Sequence, residues 1–361
     1  MIDGHGDDAY RYGHIRGNFS SNVYTHVNHD SLNGHLFRQM ACIRTYPEPE
    51  PYTLERELAA RYQVSPENVC VTNGATEAIY LIAQAWRGSR SAILMPTFSE
   101  YADACRLHAH EVESVFTLDA LSGRTSLVWL CNPNNPTGEV RPADRLRRLI
   151  EEHPRQLFVI DQSYEAFTLK EVLGVRETAA LPNVLLLHSM TKRFAVPGLR
   201  LGYLTGHKDL LQKLRRYRMP WSVNALAIEA GTYLLRHASA YQLDLNALLA
   251  ERQRVAGELE KLGGIEVWPS DTHYMLLRLR GGKASALKEW LADTHGLLIR
   301  DASNFEGLDE GFFRIAVQTP EENNQLITAI KEWMYGSKAV GFYRPVRRST
   351  GFSGKNAAGI L

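Results

Sequence analysis

The sequence predicts an α/β fold built on a mostly parallel, doubly wound sheet flanked by helices, followed by a smaller α+β domain. Two observations carry this. Short apolar runs recur at residues 92–95, 126–130, 157–160 and 184–187, and they are continuous rather than alternating. A strand buried on both faces reads that way, as in a parallel sheet covered above and below by helices. The second observation is a strand, a glycine turn and a helix in succession. Residues 68–72 are followed by Asn73-Gly74, then by Ala78, Ile79, Ile82, Ala85 and Trp86 at helical spacing, with Glu77 in the first turn.

The remaining elements follow in chain order. Residues 1–45 are rich in His, Asn, Gly and Ser, carry little periodicity and are expected to form an extended N-terminal arm. Residues 46–225 are the expected large domain, entered by a helix over 53–62 with Leu54, Leu58 and Tyr62 on one stripe. Residues 226–335 are the expected small domain, with one long helical run over 225–262 and strand-like pieces at 274–278 and 312–317. Residues 336–361 hold five Lys or Arg and no acid and read as a flexible tail.

Composition excludes several classes of function. In 361 residues, 41 Lys and Arg face 40 Asp and Glu, for a net charge of +1, which argues against nucleic-acid binding through bulk charge. A hydrophobic content of 44% is too high for a disordered chain. No stretch reaches the roughly 18 apolar residues of a spanning helix, so no membrane partner is expected. The start, MIDGHGDDAYRYGH, is polar and acidic, unlike a secretory signal. Cys42, Cys70, Cys105 and Cys131 form no C-x-x-C, so reduced thiols in a cytoplasmic protein are expected rather than zinc or disulfides. The 13 histidines include no H-E-x-x-H, and no metal is expected.

Ligands of such sheets bind beyond the carboxyl ends of the strands, and four strand ends carry complementary chemistry. Asn73-Gly74-Ala75-Thr76-Glu77 opens a helix whose free N–H groups can seat a phosphate. Cys131-Asn132-Pro133-Asn134-Asn135-Pro136-Thr137-Gly138 presents an amide on a rigid turn. Asp161 precedes Tyr164, and Ser189-Met190-Thr191-Lys192 precedes Gly198-Leu199-Arg200. Phosphate seat, amide, acid, phenol and a lysine among hydroxyls describe a pocket for pyridoxal 5′-phosphate. The amine condenses with the aldehyde, and burial near cations keeps it partly neutral. The acid keeps the ring nitrogen protonated.

In order, N-N-P-T-G, D-x-x-Y, S-x-T-K and G-L-R resemble the signature of fold-type I pyridoxal-phosphate enzymes, and the chain is most similar to the class I/II aminotransferase superfamily. The resemblance implies that Lys192 is the Schiff-base lysine, that Asp161 pairs with the ring nitrogen, and that Asn135 and Tyr164 hold the ring oxygen. It puts Phe98 on the ring face and Gly74, Ala75, Thr76, Ser189, Thr191 and Arg200 around the phosphate. It also implies a homodimer, in which the arm joins small domain and partner subunit and Tyr46 reaches the neighbouring subunit's phosphate.

Finer likeness bears on the reaction. Residues 5–6, 19–22, 189–203, 219–227, 298–309 and 313–317 resemble the threonine-phosphate decarboxylases of cobalamin biosynthesis, and the likeness runs from residue 5 to about 335. It implies decarboxylation of L-threonine O-3-phosphate, with Arg314 on the carboxylate, Arg300 on the substrate phosphate, and His5 and Asn22 lining the site. Lys192, Asp161 and Tyr164 would be catalytic. The histidinol-phosphate aminotransferases share most pocket residues, so amino transfer is the alternative. His188 and Gln318 stand where the decarboxylases carry arginines, and residues 25–33 depart from the family's arm.

Overall fold

The computed structural model describes residues 7–336. The chain begins with a two-residue strand, β1 (Gly17–Asn18), then helices α1 (Asp30–Arg38) and α2 (Tyr52–Tyr62). Strand β2 (Val69–Thr72) leads into α3 (Gly74–Ala85), and β3 (Arg90–Leu94) into α4 (Glu100–Leu107). There follow β4 (Glu111–Val115), β5 (Leu127–Cys131), β6 (Leu157–Asp161), β7 (Val184–Ser189) and β8 (Gly202–Gly206). The last strands are β9 (Ile265–Val267), β10 (Tyr274–Leu279), β11 (Leu297–Leu298), β12 (Arg300–Asp301) and β13 (Phe312–Ala316).

Among the described residues β2 to β8 make a seven-stranded sheet in the order β2-β8-β7-β6-β5-β3-β4. Strands β3 to β7 are parallel, and β8 runs antiparallel to both its neighbours, β7 and β2. The continuous apolar runs are two interleaved stripes. In β5, Leu127, Trp129 and Cys131 join the core formed with α3 and α4. Val128 and Leu130 join the opposite core, against Ala143, Leu146 and Ile150 of the helix Ala143–Glu152. Burial on both faces is what the parallel reading requires. Four later strands form an antiparallel sheet in the order β12-β13-β10-β9.

Two strands of the seven-stranded sheet escape the apolar-run reading. Strand β4 is the sheet edge: Glu111 and Glu113 are exposed, Val112 and Ser114 half-buried and only Val115 buried, so its sequence alternates rather than forming an apolar run. Strand β8 begins and ends in glycine. At Gly202 an added Cβ would stand 2.5 Å from the Ala75 nitrogen and 2.9 Å from the His188 carbonyl, so only glycine lets the strand pass beneath the start of α3.

Two expectations need correction. The arm is not extended throughout: α1 and a 3-10 turn at Met40–Arg44 occupy its second half. Helix α1 is held by the buried Leu32 and the partly buried Leu36, one turn apart, a stripe too narrow to stand out among its polar residues. The helical run over 225–262 is two helices, Ala225–Arg236 and Leu245–Glu260, separated by a 3-10 turn at Ala238–Tyr241. Asp244 starts the second helix afresh, its carboxylate accepting from the Ala247 nitrogen at 3.0 Å. At the far end, the helix Pro320–Gly336 runs into the segment expected as a tail, the rest of which lies outside the described residues. No helix among the described residues is long and apolar enough to cross a membrane.

The arm is stitched into the C-terminal half. Strand β1 pairs in parallel with β11. The Phe19 nitrogen donates to the Leu298 carbonyl at 2.8 Å, and the Phe19 carbonyl accepts from Ala316 at 2.8 Å. The fully buried Phe19 ring anchors this stitch, and Ser20, Ser21 and Asn22 follow it directly. Phe19→Ala is expected to destabilise the protein by about 3–5 kcal/mol, measured by urea unfolding; a cost below about 1 kcal/mol would mean the stitch does not depend on that ring.

Candidate active site

The carboxyl ends of β5, β6 and β7 border a cavity of about 390 Å³, lined among others by Cys131, Asn135, Asp161, Tyr164, Ser189, Thr191 and Lys192. Ala75 and Thr76 at the start of α3 and the side chain of Arg200 border it as well, the arm contributes Asp7, Ser20 and Ser21, and the antiparallel sheet contributes Arg300 and Arg314. The site is therefore assembled from three parts of the chain, each far from the others in sequence.

Lys192 lies in the short helix Met190–Arg193 that continues β7, and its Nζ donates to the Ser21 carbonyl at 2.8 Å. Burial, then the neighbouring Arg314 and Arg200, bring the amine down to about 8. Roughly a tenth of it is thus neutral and nucleophilic at pH 7, far more than for an ordinary lysine. Asp161 ends β6 and is buried; its Oδ2 accepts from the Tyr101 hydroxyl at 2.7 Å and its Oδ1 from the Ser163 nitrogen at 2.8 Å. Burial raises the Tyr101 phenol well above its ordinary value, so it stays a donor to that carboxyl. Burial likewise pushes the Tyr164 phenol up to about 12.

The phosphate seat is shaped by two backbone conformations. Gly74 has φ +79, which favours glycine, and a Cβ there would stand 2.8 Å from Arg200 Nη2 and push the guanidinium aside from its place over the helix start. Arg200 is itself left-handed at φ +54 and donates to the Pro197 carbonyl at 3.1 Å, which turns its side chain back toward α3. The first-turn N–H groups of α3 have no helical acceptors and suit an anion.

Arg300 and Arg314 face each other directly across the β12–β13 pair, and both are buried. Arg314 donates to the Asn135 side-chain oxygen and to the Ser20 carbonyl, while its Nε has no partner among the described residues. Arg300 donates to Asn304 at 2.7 Å. Burial lowers both guanidiniums, Arg300 to about 10, with Arg314 adding to the effect there. Directly opposed like charges destabilise a sheet, so this arrangement calls for anions.

The structure thus brings together Lys192, Asp161, Tyr164, Asn135, Ala75, Thr76, Ser189, Thr191, Arg200, Arg300 and Arg314, with Phe98 on the wall, its ring edge-to-face with Tyr101 at 5.8 Å. Gly74 lies beneath Arg200. Asn22 is fully buried at φ +53 next to Tyr164 and is not on the cavity wall. Tyr46 is outside the cavity, 84% exposed, its ring 5.3 Å from that of Trp221. His5 lies outside the described residues. His188 and Gln318 are both buried away from the cavity wall; the Gln318 amide donates to the Val23 carbonyl at 3.2 Å and so holds the arm.

Sequence reasoning passed over Tyr101, although it follows Phe98 by one helical turn, and over Asp7, Asn304 and Phe305. It also missed the Ser20 and Ser21 carbonyls, which no side-chain pattern marks. The residues present fit pyridoxal 5′-phosphate: an enclosed amine of lowered pKa, a fixed acid, an amide and a phenol, and an anion seat with room made by glycine. No group of His, Cys, Asp and Glu among the described residues is arranged to hold a metal.

The sequence model of the aminotransferase class I and II family matches residues 18–330. Threonine-phosphate decarboxylase of Salmonella typhimurium is 30% identical over 334 residues, 88% of this chain and 91% of that one. Histidinol-phosphate aminotransferase of Thermoanaerobacter pseudethanolicus is 32% identical over 308 residues, 80% of this chain and 84% of that one. Among solved structures, L-threonine-O-3-phosphate decarboxylase from Porphyromonas gingivalis superposes with a TM-score of 0.86 at 41% identity, covering 88% of this chain and 99% of its own.

The lowered amine has a kinetic consequence. Capture of pyridoxal 5′-phosphate by the apoenzyme is expected to speed up with pH with a midpoint near 8, where half of Lys192 is neutral, and to level off beyond it; an ordinary lysine would put that midpoint at its usual value near 10. After borohydride reduction, mass spectrometry should find the cofactor on the wild-type chain and none on Lys192→Ala.

Proposed function

The chain belongs to the aminotransferase class I and II family, whose cofactor is pyridoxal 5′-phosphate, and from that premise we propose that it decarboxylates L-threonine O-3-phosphate. The product is (R)-1-amino-2-propanol O-2-phosphate, a precursor in cobalamin biosynthesis. The observation that carries the reading is the pair of buried arginines, Arg300 and Arg314, set opposite each other on the cavity wall. A substrate with both a carboxylate and a phosphate ester supplies an anion to each. The decarboxylase from Porphyromonas gingivalis, at 41% identity, supports the same choice.

When bound, the cofactor would supply an electron-poor ring able to take up electron density from Cα of the substrate. Asp161 keeps the ring nitrogen protonated, and Tyr101, donating to Asp161, fixes the rotamer of that acid. Asn135 and Tyr164 hold the ring oxygen, and Ala75, Thr76, Ser189, Thr191 and Arg200 hold the cofactor phosphate. Arg314 grips the substrate carboxylate and Arg300 its phosphate. With both ends fixed, the orientation of Cα and hence the bond that breaks are set by the protein. Lys192, near 8, can hold or give a proton at Cα close to neutral pH.

The exposure of Tyr46 supports a homodimer in which it reaches the cofactor phosphate of the partner subunit. The free cysteines suit a reducing, cytoplasmic setting.

The test is to incubate holoenzyme with L-threonine O-3-phosphate and follow carbon dioxide and aminopropanol phosphate. Both should appear in equal amounts, and Arg314→Ala should lower kcat/KM by roughly 30- to 1000-fold, the loss expected for one partner of a buried charged contact. Absence of gas, with amino transfer between glutamate and the oxo partner of histidinol phosphate, would instead establish the aminotransferase reading, which the 32% identical relative supports.

A further inference from the structure

Behind the active site lies a polar cluster none of whose members lines the cavity. Its centre is His188, the penultimate residue of β7 and 1% exposed. Its Nδ1 stands 3.2 Å from Glu165 Oε1 and its Nε2 3.0 Å from Thr205 Oγ1. The ring lies on that of Tyr203, its direct cross-strand partner, with centroids 4.6 Å apart and planes inclined by 15°. Tyr62 flanks the ring at 6.1 Å and shares a 2.6 Å hydrogen bond with the Tyr203 hydroxyl.

The position of this cluster matters because the main-chain ladder between β6 and β7 stops just short of it. Among the described residues, the last backbone bond across that pair runs from the Gln162 nitrogen to the Leu187 carbonyl at 2.8 Å. Beyond it the two chains part. One turns through Tyr164 into the 3-10 turn Glu165–Phe167, the other passes through Ser189 into the short helix that carries Lys192. Asp161 thus lies on the ladder, while Tyr164 and Lys192 lie past its end. A carboxylate can only accept, so His188 Nδ1 donates to Glu165. That bond supplies one more rung where backbone pairing has ended, and the Thr205 contact ties the same ring to β8.

We propose that His188 is a positioning residue: through Glu165 it holds the Tyr164 turn against β7, so that the Tyr164 phenol, the Asp161 carboxyl and the Lys192 amine keep their spacing. It touches neither cofactor nor substrate. Packing alone does not account for a histidine here, since a phenylalanine would stack on Tyr203 equally well.

Asparagine and glutamine separate the two nitrogens, because the Asn amide reaches the place of Nδ1 and the Gln amide that of Nε2. The readouts are the cofactor dissociation constant by equilibrium dialysis, the visible circular dichroism of the bound cofactor, the thermal midpoint of the apoprotein, and kcat against KM. His188→Phe and His188→Gln are expected to weaken cofactor binding roughly 10- to 100-fold, the loss of a hydrogen bond to a charged group, to reduce the visible dichroism, and to lower kcat more than they change KM. His188→Asn is expected to keep affinity and dichroism within about twofold of wild type. Glu165→Leu, at a partly exposed position, should match His188→Phe without opening the core, and combining the two should cost no more than either alone. The proposal is overturned if His188→Phe keeps cofactor affinity and dichroism while losing only thermal stability, if Gln rescues and Asn does not, or if the two single losses add. None of these readouts except kcat and KM depends on which substrate the enzyme takes.

Discussion

Four cationic side chains border one small cavity, and the repulsion among them is the constraint to which the rest of the molecule answers. Arg300 and Arg314 sit opposite each other on neighbouring strands, with Lys192 and Arg200 on the same cavity wall. Arg300 and Arg314 are buried, which strengthens the repulsion between them, because protein screens charge less well than water does. The Lys192 amine is brought down to about 8 and the Arg300 guanidinium to about 10, first by burial and then by these neighbouring like charges. Such a cluster is a poor device for stability and a good one for receiving phosphate and carboxylate groups.

Building it requires backbone that can come close without side chains in the way. Gly74 lets the start of α3 share space with the Arg200 guanidinium, and Gly202 lets β8 pass under the same helix. The two glycines therefore serve the anion seat, one from inside and one from beneath. The arm closes the other side: pinned by Phe19 between β11 and β13, it offers main-chain carbonyls to Lys192 and Arg314. Two of the four cations are thus held by acceptors that belong to the segment farthest from them in sequence.

Much of this was legible before any coordinates. Continuous apolar runs announced the parallel strands because burial on both faces leaves no reason for alternation. The polar residues after those runs announced the pocket because a parallel sheet presents its strand ends together. What could not be read were the elements whose residues carry a mixed signal. Strand β4 alternates because one edge of a sheet meets water, and α1 hides a two-residue apolar stripe among polar neighbours. The break after Arg236 was missed because helix-favouring residues resume so soon beyond it. Tyr101 was missed because its partner, Asp161, comes from another strand.

By itself, then, the amino-acid order determined which residue types would stand at the strand ends, since that depends on periodicity and local turn chemistry alone. Only the folded chain decided what those residues feel. The lowered Lys192 amine, the opposed arginines, the departure of His188 and Gln318 from the cavity and the removal of Asn22 to a place behind Tyr164 all depend on distances between segments far apart in sequence. Electrostatic interaction and desolvation act through space, and spacing along the chain does not encode them.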